Sequence, residues 1–280
     1  MPPAPDIASR RPRTPAEALE LAGHALRAGR PQEAEALAAA VLKADRKNSL
    51  AGQTLASALL MQDRGSEAIE PLRALSRRLA DPAIETLLAR ALAAGGQADE
   101  ALAALRRAII RRPAYPLAFL DLGQALAAAG RPREGIAVLE DGLALVPAAD
   151  GLRIAVGYLY LQVDDRGAAQ AQFAAVHAAA PNRQDAVVGL AKVASLSGEH
   201  AAAADLYRRA LALRPGDFAA ALGLGRSLLE AGERQAGEAA LRAAVGGVER
   251  MTGPVISALA AAPRGRFFLR PSAARRFLGA

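Results

Sequence analysis

PLAFLDLGQALAAAGRPREGIAVLEDGLALVP, residues 116–147, reads as two helices and the turn that joins them. Phe119, Leu122, Gly123 and Leu126 return to one side of a helix at steps of three and four, and Ile136, Leu139 and Leu143 do so again further on. Gly130 lies between the two runs, where a helix stops and a tight turn begins, and Pro147 closes the second run. The stretch is one helical hairpin.

The hairpin is copied along the chain. Pro113, Pro147, Pro181 and Pro215 follow one another at intervals of 34 residues. Gly96, Gly130, Asp164, Gly198 and Gly232 keep the same step at the expected turns. Ala101, Gly135, Ala169, Ala203 and Gly237 keep it early in the second helix, where a small side chain lets two helices approach closely. Backwards from Gly96 the register reaches Ala68 after one shortened step, then Ala34 and Gly29. The count predicts seven units starting at Pro15, Ser49, Pro82, Pro116, Asp150, Gln184 and Phe218, the last ending near Met251, with only the second shortened, to 33 residues. Repeats of this length are supersecondary units that bury their apolar faces only by stacking on neighbours.

The pattern resembles the tetratricopeptide repeat, whose unit favours a large residue, Leu-Gly and another large residue in the first helix, then small, aromatic, small and a closing proline in the second. The fourth unit supplies Phe119, Leu122, Gly123, Leu126, Gly130, Leu139 and Pro147, departing at Gly135 and Gly142, where the family prefers alanine. Gly157, Tyr160, Ala169, Phe173 and Pro181 match in the fifth, and Leu190, Ala191, Ala203, Tyr207, Ala210, Leu211 and Pro215 in the sixth. The first two units lack the aromatics and have Arg46 and Ala80 in place of the closing proline. The resemblance spans residues 15–251. It implies an all-α, right-handed superhelical solenoid of about seven antiparallel hairpins, with first helices lining a concave groove and a noncatalytic role in binding a protein or peptide.

Formal charge is +7, which invites a nucleic-acid reading until the charge is located. Arg10, Arg11 and Arg13 lie in a Pro/Arg-rich segment, residues 1–14, expected to be a disordered tail, and Arg264, Arg266, Arg270, Arg275 and Arg276 lie in residues 252–280. The repeats between them are balanced, 27 basic side chains against 27 acidic, so nucleic-acid binding along the array loses its main support. The C-terminal segment also holds Phe267, Phe268 and Phe277, half of the six phenylalanines. Its first part, residues 254–262, reads as a capping helix over the last repeat, and solenoids need such a cap. The alternative is that the basic, aromatic tail contacts an acidic partner, a membrane surface or a nucleic acid. With no cysteine, no signal-like apolar run and no stretch long enough for a membrane span, the expected location is the cytoplasm.

Function is expected on the first-helix face. Its ninth place in successive units holds Arg90, Gln124, Tyr158, Lys192 and Arg226, a polar ladder, with Leu120, Ile154, Val188 and Leu222 at a neighbouring place as apolar pads. Gln124 and Tyr158 suit peptide backbone, the bases suit carboxylates, and the pads suit buried side chains. The Lys and Asn set of carboxylate-clamping relatives is missing, as is an asparagine ladder, since Asn48 and Asn182 both lie between units. An enzyme would need convergent reactive groups. Cysteine is absent, and His24 in a first helix, His177 in a second and His200 at a turn are dispersed, so no catalytic, metal or cofactor residues are assigned. Two further functional readings stand beside the scaffold: an accessory subunit of a pilus, secretion or polysaccharide assembly machine at a membrane, and a nucleic-acid-associated factor acting through its basic tails.

Overall fold

The computed structural model describes residue 12 and residues 14–245, 252–261 and 271–279, with backbone alone at 252, 261, 271, 272, 274 and 275. The expected N-terminal tail therefore lies outside the described residues apart from its last positions, as does the tail segment 264–270. Among the described residues the regular secondary structure is α-helical apart from one short 3-10 turn. The first helices of successive hairpins are α1 (Pro15–Arg27), α3 (Ser49–Leu60), α5 (Pro82–Ala94), α7 (Pro116–Ala128), α9 (Asp150–Gln162), α11 (Gln184–Leu196) and α13 (Phe218–Glu230). Their partners are α2 (Pro31–Ala44), α4 (Ile69–Ser76), α6 (Ala98–Ile110), α8 (Pro132–Leu145), α10 (Arg166–Ala179), α12 (His200–Leu213) and α14 (Arg234–Val245), followed by α15 (Thr252–Ala261) and α16 (Pro271–Leu278).

Local chemistry sets where these helices begin and end. Thr14, Asn48, Asp81 and Asp217 cap first helices, each side-chain oxygen accepting a backbone N–H of the opening turn. Such a cap contributes about 1 kcal/mol. Proline opens α1, α5 and α7, where its missing N–H costs nothing and its fixed φ suits a helix. Each first helix leaves through a left-handed residue, at φ +69° for Gly29, +76° for Gly96, +77° for Gly130, +82° for Gly198 and +88° for Gly232. Asp63 at +56° and Asp164 at +61° do the same without glycine, a conformation that aspartate tolerates better than most side chains. The following N–H then closes on a carbonyl five residues back, as in Gln97 to Leu92 and Glu233 to Leu228, both at 2.8 Å. Asp63 was not part of the turn series read from the sequence, because the shortened second unit displaces it and it is not glycine.

The second unit departs from a plain hairpin. Its return arm starts as a 3-10 turn, Gly65–Ala68, and only then becomes the eight-residue α4. Pro71 has no N–H to donate to the carbonyl of Glu67, so an α-helix already running at Glu67 would lose that bond, whereas in the first turn of α4 the N–H is not needed; this explains the late start.

The chain divides into two compact units at Gly130, with Ala144–Pro147 counted with the first. In the first unit α1, α2 and α3 pack through alanine: Ala22, Ala25, Ala34 and Ala58 form one fully buried cluster. In the second unit aromatic rings fill notches left by glycine. Phe173, fully buried, lies against Gly157 and Gly189, and a Cβ on Gly157 would stand 2.7 Å from its ring. Tyr207 lies in the same way against Gly223. At the far end Leu229, Leu241 and Val245 bury against Val255, Ala258 and Leu259 of α15 and Leu278 of α16. Phe277 of α16 is half-buried, with the Arg242 guanidinium 5.0 Å from its ring centroid.

Candidate functional site

In the second unit, α9, α11 and α13 place Tyr158, Lys192 and Arg226 at equivalent points, one per hairpin. Tyr158 is half-buried and meets Phe173 edge-on, with ring centroids 5.1 Å apart. The Lys192 ammonium sits 4.8 Å from the Tyr158 ring centroid, the geometry of a cation–π contact. Burial, together with the carboxylates of Asp185 and Asp217, pushes the Tyr158 hydroxyl up to about 12. Tyr207, nearly inaccessible, is raised to about 12 by burial and by Tyr158, while Arg226 works in the opposite direction. Both phenols remain protonated at neutral pH, and Tyr158, the more exposed of the two, has a proton to donate.

The two nearby carboxylates are already engaged. Asp185 accepts from Arg183 at 3.0 Å, and Arg183 reaches Asp150 at 3.0 Å as well. Asp217 caps α13 through the Ala220 N–H at 2.9 Å and accepts from Gln184 Nε2 at 2.6 Å. Burial raises the Asp217 carboxyl, but the Ala220, Gln184 and Ala219 donors and the Arg214 charge outweigh it and leave the group below its usual range. Lys192 and Arg226, by contrast, are exposed and pair with no carboxylate among the described residues. The face therefore offers two cations beside a preorganised row of bonded acids.

The remaining ladder residues lie in the first unit and differ. Arg90 grips Asp121 with two bonds, Nε to Oδ2 at 2.5 Å and Nη2 to Oδ1 at 3.0 Å, so its charge is spent internally. Gln124 is exposed and Leu120 half-buried. The apolar pads also differ from the expectation. Ile154 and Val188 are only 8% and 7% exposed, packed into the hairpin core, and Leu222 is half-buried against the cluster containing Leu229 and Leu241. Ile154 and Val188 support the face from beneath and offer a partner little surface. Sequence periodicity could not separate a groove-lining apolar residue from a core one a single helical step away.

In the expected tail contact, Arg264, Arg266, Phe267, Phe268 and Arg270 fall outside the described residues. Arg275 and Arg276 lie on α16, with Arg276 exposed, while Phe277 turns toward Arg242 of α14. Of the histidines, His24 lies 3.1 Å from Arg27, His177 lies 3.3 Å from Arg209, and His200 is the first residue of α12 rather than part of a turn. Among the described residues no group of three or more acids and histidines could hold a metal ion, and no helix is long and apolar enough to cross a membrane.

Family models described as tetratricopeptide repeat match residues 25–91, 86–150, 155–218 and 197–250. No curated protein matches the sequence. Among solved structures the chain is similar to TTC0263, a thermophilic TPR protein of Thermus thermophilus, with 26% identity over 64% of this chain and 98% of that one and a TM-score of 0.55. It is also similar to pilF of Pseudomonas aeruginosa, at 17% identity over 75% of this chain and 94% of that one, TM-score 0.58. The human IFIT1 dimer with PPP-AAAA aligns at 18% identity over 88% of this chain and 63% of that one, TM-score 0.65. At such identities the last two testify to the fold alone.

Proposed function

Because the chain belongs to the tetratricopeptide repeat family, we propose that it is a noncatalytic interaction scaffold that holds a protein or peptide segment on the first-helix face of its second unit. The observation that carries this reading is the pair Lys192 and Arg226, exposed cations without a carboxylate partner among the described residues, the first of them lying over the Tyr158 ring. A carboxylate-bearing segment would place its acids on the two cations and a backbone carbonyl on the tyrosine. The bonded row Asp150, Arg183, Asp185, Gln184 and Asp217 holds the first helices in register, so the partner meets a surface whose ordering cost is already met.

The test begins by capturing the partner on the parent chain and then measures its affinity for a Tyr158→Phe, Lys192→Ala double variant. Tyr158→Phe keeps the ring that packs on Phe173, which Tyr158→Ala would remove along with the hydroxyl. Affinity should fall at least about tenfold with the thermal midpoint preserved. A partner that binds the double variant as tightly as the parent excludes this face.

A further inference from the structure

In the first unit, arginines gather where two second helices end. Arg77 directly follows α4, Arg111 directly follows α6, and Arg107 lies one turn earlier; all three line a cavity of about 370 Å³ floored by Leu88 and Leu92 of α5. Helix C-termini attract cations because their last carbonyls carry partial negative charge, and that accounts for each arginine singly. It does not account for Glu85. This carboxylate, on α5 in the same lining, is 1% exposed. Its Oε1 accepts from Arg111 Nη2 at 3.1 Å, while Oε2 and the Arg111 Nε are buried without partners. A buried carboxylate with one oxygen left unpartnered is costly wherever it occurs. What this one achieves is to hold the Arg111 guanidinium at the wall of the cavity.

The two ends of the cavity are not equivalent. At one end Arg73 is engaged by Glu70 at 2.8 Å and Glu100 at 2.6 Å, two carboxylates on one guanidinium, so no positive charge is left over there. At the other, Arg77 and Arg107 have no carboxylate partner among the described residues, and they line the cavity together with Arg111, which alone is paired with Glu85. We propose that this end binds a phosphate-type oxyanion, with Arg77, Arg107 and Arg111 as its ligands. Three guanidinium donors supplied by two helices to one cavity match a tetrahedral oxyanion, which presents acceptors on several sides, better than a carboxylate with two oxygens in one plane. The volume exceeds that of a single phosphate and leaves room for a second phosphoryl group.

The experiment is calorimetric titration of the full chain with inorganic phosphate and with pyrophosphate at constant ionic strength. Three proteins are compared: the parent, an Arg77→Ala, Arg107→Ala variant, and a Lys192→Ala, Arg226→Ala variant that loses the same charge from the second unit. Both arginines at the cavity are exposed, so their removal leaves the fold intact. Saturable one-to-one binding of pyrophosphate is expected in the parent, at least about tenfold weaker in the cavity variant and unchanged in the charge-matched one. Binding of inorganic phosphate alone, with the same variant pattern, would assign a single-phosphate site. Absence of saturable binding of either ion by the parent, or equal losses in both variants, would overturn the proposal.

Discussion

The ninth place of the repeat carries a base in both units, yet the two bases do different work. Arg90 in the first unit is clasped by Asp121 and presents a neutral pair to solvent, whereas Lys192 in the second lies over Tyr158 with no acid of its own. The cores beneath differ in parallel. The first unit opens on alanines in close contact, and the second seats Phe173 and Tyr207 into notches at Gly157, Gly189 and Gly223. Repetition therefore specifies where a side chain stands, while its neighbours decide whether its charge is free.

The strongest way to break this comparison is at the aromatic seat. Phe173→Ala removes a fully buried ring between two glycines that have no side chains with which to fill the space, and it should cost about 3 to 5 kcal/mol in chemical denaturation. A loss below about 1 kcal/mol would mean the ring does not anchor the second unit. Gly157→Leu works from the opposite side, forcing atoms into a space the Phe173 ring occupies, and should destabilise by about 1 to 3 kcal/mol. A neutral result there would question the helix register. The smallest effect is expected at Arg90→Ala, where a surface pair with Arg90 43% exposed contributes no more than about 1 kcal/mol. If that variant weakened partner binding as much as the loss of Lys192, the distinction between spent and free cations would fall.

Much of the fold was legible because hairpin geometry repeats and leaves periodic marks. Glycine at the left-handed exit, a small residue where helices cross and a closing proline each answer a local steric demand, so they recur at one interval. Asp63 escaped notice because aspartate satisfies the same backbone demand without the same letter. The late start of α4 was missed as well, since Pro71 acts on hydrogen bonding within one turn and leaves the apolar pattern untouched. At the candidate site, the helical step put Tyr158, Lys192 and Arg226 at equivalent places on successive first helices, but it also nominated Ile154 and Val188, which the structure buries.

The sequence by itself determined that this chain is an array of helical hairpins, because backbone sterics and apolar periodicity are local and survive copying. Only the tertiary structure decided which polar side chains are free. Ion pairing depends on what a neighbouring hairpin contributes across space: Asp121 reaches Arg90 from 31 residues away, while Lys192 finds an aromatic ring from the hairpin before it. Charge is compensated between repeats, and a period read along the chain has no access to that.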